Sequence, residues 1–126
     1  MNIPDTLKYT KTHEWVKIEG NTAVMGITDH AQHELTDIVY IDDFPEIGSS
    51  VEKGKTIAVI ESVKAVAEVY AAVSGELMAI NADLEKSPEL LNKAPYDAWI
   101  AKVKISKPEE IKDLLSADAY KKEFPH

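Results

Sequence analysis

The chain has 126 residues, 44% hydrophobic and 29% charged, which fits one compact domain with a sizeable core and leaves little room for a separate active-site domain. A balance of 14 basic against 22 acidic residues gives a formal net charge of −8, which opposes nonspecific binding to nucleic acid or anionic lipid and favours basic faces on partner proteins. Cysteine is absent, so a disulfide framework and a thiolate nucleophile are excluded and any sulfur redox chemistry has to arrive on a cofactor.

No apolar run approaches membrane-spanning length and the first residues carry no signal core, so the expectation is a cytoplasmic protein. After a short lead, Glu14–Glu19 reads as a strand, Glu19-Gly20-Asn21 as a turn and Thr22–Ile27 as the returning strand. Thr28 or Asp29 can cap a short helix whose inner face holds Ala31 and Leu35. Residues 38–41 form an apolar strand stopped by Asp42-Asp43-Phe44-Pro45, and Gly48 and Gly54 punctuate the stretch before residue 57. Residues 57–70 then read as an apolar strand, a tight reversal and a second apolar strand, with Lys64 at the hairpin tip. The tip lacks the Gly or Asn-Gly of common two-residue hairpins, which predicts a type I reversal.

Turn signals at Lys53-Gly54-Lys55 and Val73-Ser74-Gly75-Glu76 flank this hairpin at similar distances, predicting two similar halves with the lysine near their symmetry axis. Residues 77–80 read as a further strand, and Ser87-Pro88-Glu89 as a capped helical turn with Pro at its first position. Trp99, Ala101, Val103 and Ile105 alternate with Ile100, Lys102 and Lys104, the period of a half-buried strand. Pro108-Glu109-Glu110 opens a helix with an Ile111, Leu114, Leu115 stripe, and Ser116 starts another carrying Tyr120 and Phe124. Short, frequent strands without a low-complexity linker predict a single domain over residues 1–126. Its class is mainly β: two small sheets packed as a barrel-like sandwich, with short peripheral helices including the C-terminal ones.

An exposed lysine is ordinarily a solvated charge. On rigid flanking strands, however, its amine can accept a carboxylic acid as an amide and become the fixed root of a long tether. Two of the four histidines, His30 and His33, are three apart and can share a helical face. Without a third ligand they make a weak metal site, and Asp29 serves more naturally as a cap. No Ser-His-Asp or Cys-His relationship and no Gly-rich phosphate loop can be traced, which argues against an independent catalyst.

Glu61-Ser62-Val63-Lys64-Ala65 resembles the lipoylation site of glycine cleavage system H proteins. The resemblance extends to Tyr9-Thr10-Lys11-Thr12-His13-Glu14-Trp15-Val16, Gly26-Ile27-Thr28-Asp29-His30-Ala31-Gln32, Val73-Ser74-Gly75-Glu76 and Ser87-Pro88-Glu89-Leu90, and so covers nearly the whole chain. Biotin carriers hold their lysine between methionines and the lipoyl domains of 2-oxo-acid dehydrogenases usually place Asp before it; Val63 matches neither.

The resemblance implies a lipoyl-domain-like barrel-sandwich hybrid with lipoate amide-linked to Lys64, which would take the charge from −8 to −9. It implies a monomeric, non-enzymatic shuttle. The aminomethyl group would come from the pyridoxal-phosphate enzyme glycine decarboxylase and go to aminomethyltransferase, which passes the one-carbon unit to tetrahydrofolate. Dihydrolipoamide dehydrogenase would reoxidise the arm, and lipoate-attaching enzymes would install it. Thr12, Glu14 and Glu68 would line the cleft where the loaded arm rests, although each glutamate on its own reads as a solvated carboxylate.

Two departures stand out. Leu35-Thr36-Asp37 replaces the family's Leu-Gly-acidic, so a positive φ there would be strained, and Ala94-Pro95-Tyr96-Asp97-Ala98-Trp99 is one residue shorter than usual. Both lie outside the lysine hairpin in sequence. Two alternatives stay open at this point: an H-like lipoyl carrier serving lipoyl relay or another redox pathway, and an unmodified scaffold or interaction domain.

Overall fold

The computed structural model describes residues 2–125. The alternating pattern of the N-terminal region folds as read. Strands β2 (Glu14–Glu19) and β3 (Thr22–Ile27) pair antiparallel, with Glu14 opposite Ile27 and Trp15 opposite Gly26. Alternation sends Val16 to the main core and Trp15 to the opposite face. The indole lies over Gly26 so closely that a Cβ there would sit 2.6 Å from it, which makes glycine a packing requirement.

The lead before β2 is itself structured. A two-residue strand β1 (Lys8–Tyr9) pairs with β2, and Thr10–His13 closes the connection through bonds from Thr10 N to Glu14 O (3.0 Å) and His13 N to Thr10 O (3.2 Å). Strands β4 (Ile38–Asp42), β5 (Ser50–Val51), β6 (Thr56–Ser62), β7 (Val66–Tyr70), β8 (Gly75–Ile80) and β9 (Ala101–Ile105) complete two sheets. Their orders are β1-β2-β3-β9-β8-β5 and β4-β6-β7. The two sheets are thus unequal in strand number, unlike the similar halves expected from turn spacing.

Their inner faces meet in one core, to which Val16, Met25, Ile41, Ile57, Ile60, Leu77 and Val103 contribute. Burying a side chain of this size stabilises by about 1.5–3 kcal/mol, so this layer dominates the fold. A second cluster of Ile3, Leu7, Tyr9, Trp15, Val24, Ala117 and Tyr120 covers the other face of the larger sheet.

Helix α1 (Asp29–Leu35) is capped by Thr28, whose hydroxyl accepts from Ala31 N at 3.2 Å. It ends at Thr36 with φ 61° and ψ −147°, a backbone region that is essentially restricted to glycine. The strain expected of a threonine with positive φ at this position is therefore present.

The C-terminal half corrects several details. Ser87 closes α2 (Asp83–Lys86) as its C-cap, and α3 (Leu90–Lys93) begins two residues past Pro88 without a side-chain cap bond. Ile100 is fully buried and precedes β9, donating its N–H to Met25 O at 2.7 Å, so the alternation breaks there. Residues Pro108–Asp113 form a 3-10 helix, and Leu115 leaves it to bridge Tyr9, so the α-helical stripe does not form. Ser116 does start a helix, α4 (Ala117–Glu123), accepting from Ala119 N and burying Tyr120.

Candidate functional site

Lys64 stands on the connection between β6 and β7. The Ser62 hydroxyl accepts from both Lys64 N (3.2 Å) and Ala65 N (3.0 Å), and Ser62 N donates to Ala65 O (2.8 Å). Among the described residues, only His13, Thr36 and Asp43 combine a side chain with positive φ, so residues 62–65 make an ordinary right-handed reversal and need no glycine. Serine supplies locally what the turn lacks in glycine.

Lys64 is exposed between two apolar neighbours, Val63 and Val66, which are 69% and 66% exposed. Its Nζ donates to the carbonyl of Glu34 at 2.9 Å, and Val63 N donates to Asp37 O at 3.0 Å. The Thr36 loop, remote in sequence, is therefore a direct support of the lysine turn.

Behind this tip lies a cavity of about 340 Å³ between α1 and the β6–β7 hairpin. Ile27, Leu35, Ile60 and Val69 give it apolar walls, and Thr12, Glu14, Glu34 and Glu68 add polar groups. Thr12 and Glu14 thus line one space with Glu68, which is remote from them in sequence. Their environments differ sharply. Glu14 is 2% exposed, and its Oε1 accepts the hydroxyls of Thr10 and Thr12 while Oε2 receives Tyr70 N at 3.3 Å. Burial raises its carboxyl above the ordinary carboxylate range, against the lowering by these two hydroxyls and by backbone N–H groups. Glu68 is exposed, and its oxygens take Thr56 Oγ1 (3.1 Å) and Tyr70 Oη (3.0 Å).

Thr10 and the Tyr70 N–H belong to this site although the sequence alone does not single them out. The signal that would have found Thr10 is two hydroxyl residues four and two positions before a glutamate, but only the 10–13 turn folds both onto the same oxygen. His30 stacks on His13 with ring centroids 4.2 Å apart. Among the described residues, no group of three or more His, Cys, Asp or Glu is arranged to hold a metal ion, and no helix is long and apolar enough to cross a membrane.

The cavity suits an aliphatic chain attached at the lysine: its size falls in the range of small-ligand pockets, roughly 300–1,000 Å³, and its walls are apolar with a few polar groups. A family model described as glycine cleavage H-protein matches residues 7–126. The glycine cleavage system H protein of Staphylococcus haemolyticus is 51% identical over 122 residues, 96% of each chain. A probable glycine cleavage system H protein of Picrophilus torridus is 51% identical over 120 residues, covering 95% of this chain and 94% of its own. The crystal structure of a glycine cleavage system H protein from Mycobacterium marinum matches with a TM-score of 0.86 at 31% identity, covering 96% of this chain and 98% of that one. The chain belongs to the glycine cleavage H-protein family, whose members are non-catalytic shuttles bearing covalent lipoate on a lysine and working with glycine decarboxylase and aminomethyltransferase.

Proposed function

We propose that Lys64 is the lysine that carries lipoate, and that the cavity behind it shelters the loaded arm with Glu14 inside and the exposed Thr12 and Glu68 at the rim. The single observation that carries this reading is the shared cavity: an exposed lysine contacts the carbonyl of Glu34, and Glu34 lines the same apolar space as a nearly fully buried carboxylate. When bound, the lipoyl group supplies the sulfur that accepts the aminomethyl group. The chain's own residues supply the mount, the shelter and the charge.

Glu14 is placed to favour an ammonium over neutral cargo. Its Oε1 is occupied by two threonine hydroxyls, whereas Oε2 has only a long bond from Tyr70 N, leaving acceptor capacity for a cationic group. A charge-assisted hydrogen bond away from water contributes about 1.5–3 kcal/mol. An exposed pair, the most Glu68 can offer, contributes roughly 0–1 kcal/mol. Apolar walls around Glu14 exclude the water that would release the cargo as formaldehyde and ammonia. A hold of this modest size remains reversible, so contact with a partner enzyme can shift the arm from parked to extended.

The same reading assigns residues 1–126 to one lipoyl-carrier domain, monomeric and cytoplasmic, served by lipoate-attaching enzymes and by dihydrolipoamide dehydrogenase as the oxidant of the reduced arm. Peptide mapping after production with lipoate and its ligase tests the attachment. The expected result is one lipoyl increment, on the peptide containing Lys64; an increment on a different lysine, or none, overturns it.

A further inference from the structure

We propose that the backbone carbonyl of Glu34 is the acceptor that holds the root of the lipoyl arm, taking the single N–H that remains on Lys64 Nζ once that nitrogen is an amide. This rests on Lys64 as the attachment site. An ammonium has three donors and finds partners easily, whereas a secondary amide has one, so the contact survives modification only if helix end and hairpin tip are held in fixed relation. The structure contains the parts that do this.

The last carbonyls of a helix have no partner within it. In α1, Gln32 O takes Thr36 N at 3.0 Å and Leu35 O takes Thr36 Oγ1 at 2.6 Å, while Glu34 O faces the lysine. The following loop is clamped by Asn92 on α3. Its Nδ2 donates to Thr36 O (2.7 Å) and Gln32 Oε1 (3.1 Å), and its Oδ1 accepts from Ile38 N (2.9 Å). One side chain thereby ties α1, the strained Thr36 and the start of β4 together. The bond from Val63 N to Asp37 O then fixes the lysine turn to that same loop.

Glu34 and Leu35 also line the cavity that holds Glu14. An amide N–H docked on Glu34 O therefore starts the acyl chain at the cavity's edge. Asn92 is a positioning residue for this contact, acting through the loop and touching neither arm nor cargo.

The test uses protein lipoylated on Lys64, verified by peptide mapping, with 15N-lysine and 13C-carbonyl labels. Hydrogen exchange of the Lys64 Nζ–H is compared with that of free Nε-lipoyl-lysine. A neutral hydrogen bond corresponds to a slowing of about 3- to 10-fold, and a scalar coupling between Lys64 15Nζ and the Glu34 13C′ identifies the acceptor. Asn92→Asp retains an oxygen for Ile38 N and loses both donors; it is expected to return exchange towards the free rate while β2 and β3 amide protection stays unchanged. Asn92→Ala provides a second variant with the same expected outcome.

Exchange at the free rate in the unmutated protein overturns the proposal, as does protection without the Glu34 coupling. Protection unchanged in both folded Asn92 variants removes Asn92 from the role. Glu14→Gln is expected to leave the Lys64 Nζ–H protected, so sheltering by Glu14 can fail while this contact stands. A sample lipoylated on another residue overturns the attachment reading and this one together, whereas free exchange on a Lys64-linked arm overturns only this one.

Discussion

Glu14 and Glu68 line the same cavity and carry the same functional group, yet the fold treats them in opposite ways. Glu14 begins β2 beneath the 10–13 turn, which folds two threonine hydroxyls onto one of its oxygens and leaves the residue only 2% exposed. Glu68 alternates outward on β7 and shares its carboxylate between Thr56 and Tyr70 at the surface. The difference shows that cavity lining alone does not decide electrostatic worth. A carboxylate removed from water interacts strongly with a cation that enters, while an exposed one is screened.

The largest effect that sharpens this comparison is loss of the tether. Lys64→Arg keeps the positive charge and cannot form the usual amide, so glycine-dependent CO2 release in the reconstituted system should fall to background. Its thermal unfolding should stay close to that of the parent, because Lys64 is exposed. Full activity in that variant would break the account of the site. Next comes Thr36→Gly. Relief of about 1–3 kcal/mol of backbone strain, offset by up to about 1 kcal/mol from the extra freedom of unfolded glycine, should raise stability by roughly 1 kcal/mol. The denaturant midpoint should rise at unchanged slope; a lower midpoint would mean that Thr36 is not strained in solution.

The pH dependence of stability probes the buried carboxylate directly. The folded-state pKa of Glu14 is raised above its ordinary 4.5 by burial, so the folded protein binds more protons than the unfolded chain. The resulting stabilisation is fully present below the unfolded value and is lost as pH rises through the folded one. Glu14→Gln should therefore gain stability relative to the parent as pH rises from 4.5 through the folded-state value, as followed by urea unfolding at several pH values. A parallel pair of curves would count against a desolvated carboxylate. The smallest effect is expected for Glu68→Ala, which should speed cargo loss by less than about fivefold, the most that an exposed pair accounts for.

Much of this arrangement is legible in the chain. The β2–β3 hairpin, α1 with its Thr28 cap and the lysine reversal follow from local periodicity and turn chemistry. Strands β1 and β5, each two residues long, exist only because β2 and β8 lie beside them, and so leave no periodic signal. The apolar residues 111, 114 and 115 are compatible with a helix, but the pairing of Leu115 with Tyr9 wins over that local preference. The site divides in the same way. The tip lysine is visible locally, whereas the strain at Thr36 is expected only through the resemblance and rests in the structure on its backbone angles. The burial of Glu14 is not visible, because it depends on a turn, a cavity wall and the Tyr70 N–H, the last separated from it by 56 positions.

Cargo retention in Glu14→Ala tests the central contrast most directly. Parent and variant would be lipoylated, loaded with the aminomethyl group through glycine decarboxylase, separated from it, and followed for release of ammonia at neutral pH. Loss of one charge-assisted hydrogen bond in a water-poor cavity predicts release about tenfold faster or more. Equal release from the two proteins would contradict the claim that this buried carboxylate protects what the arm carries.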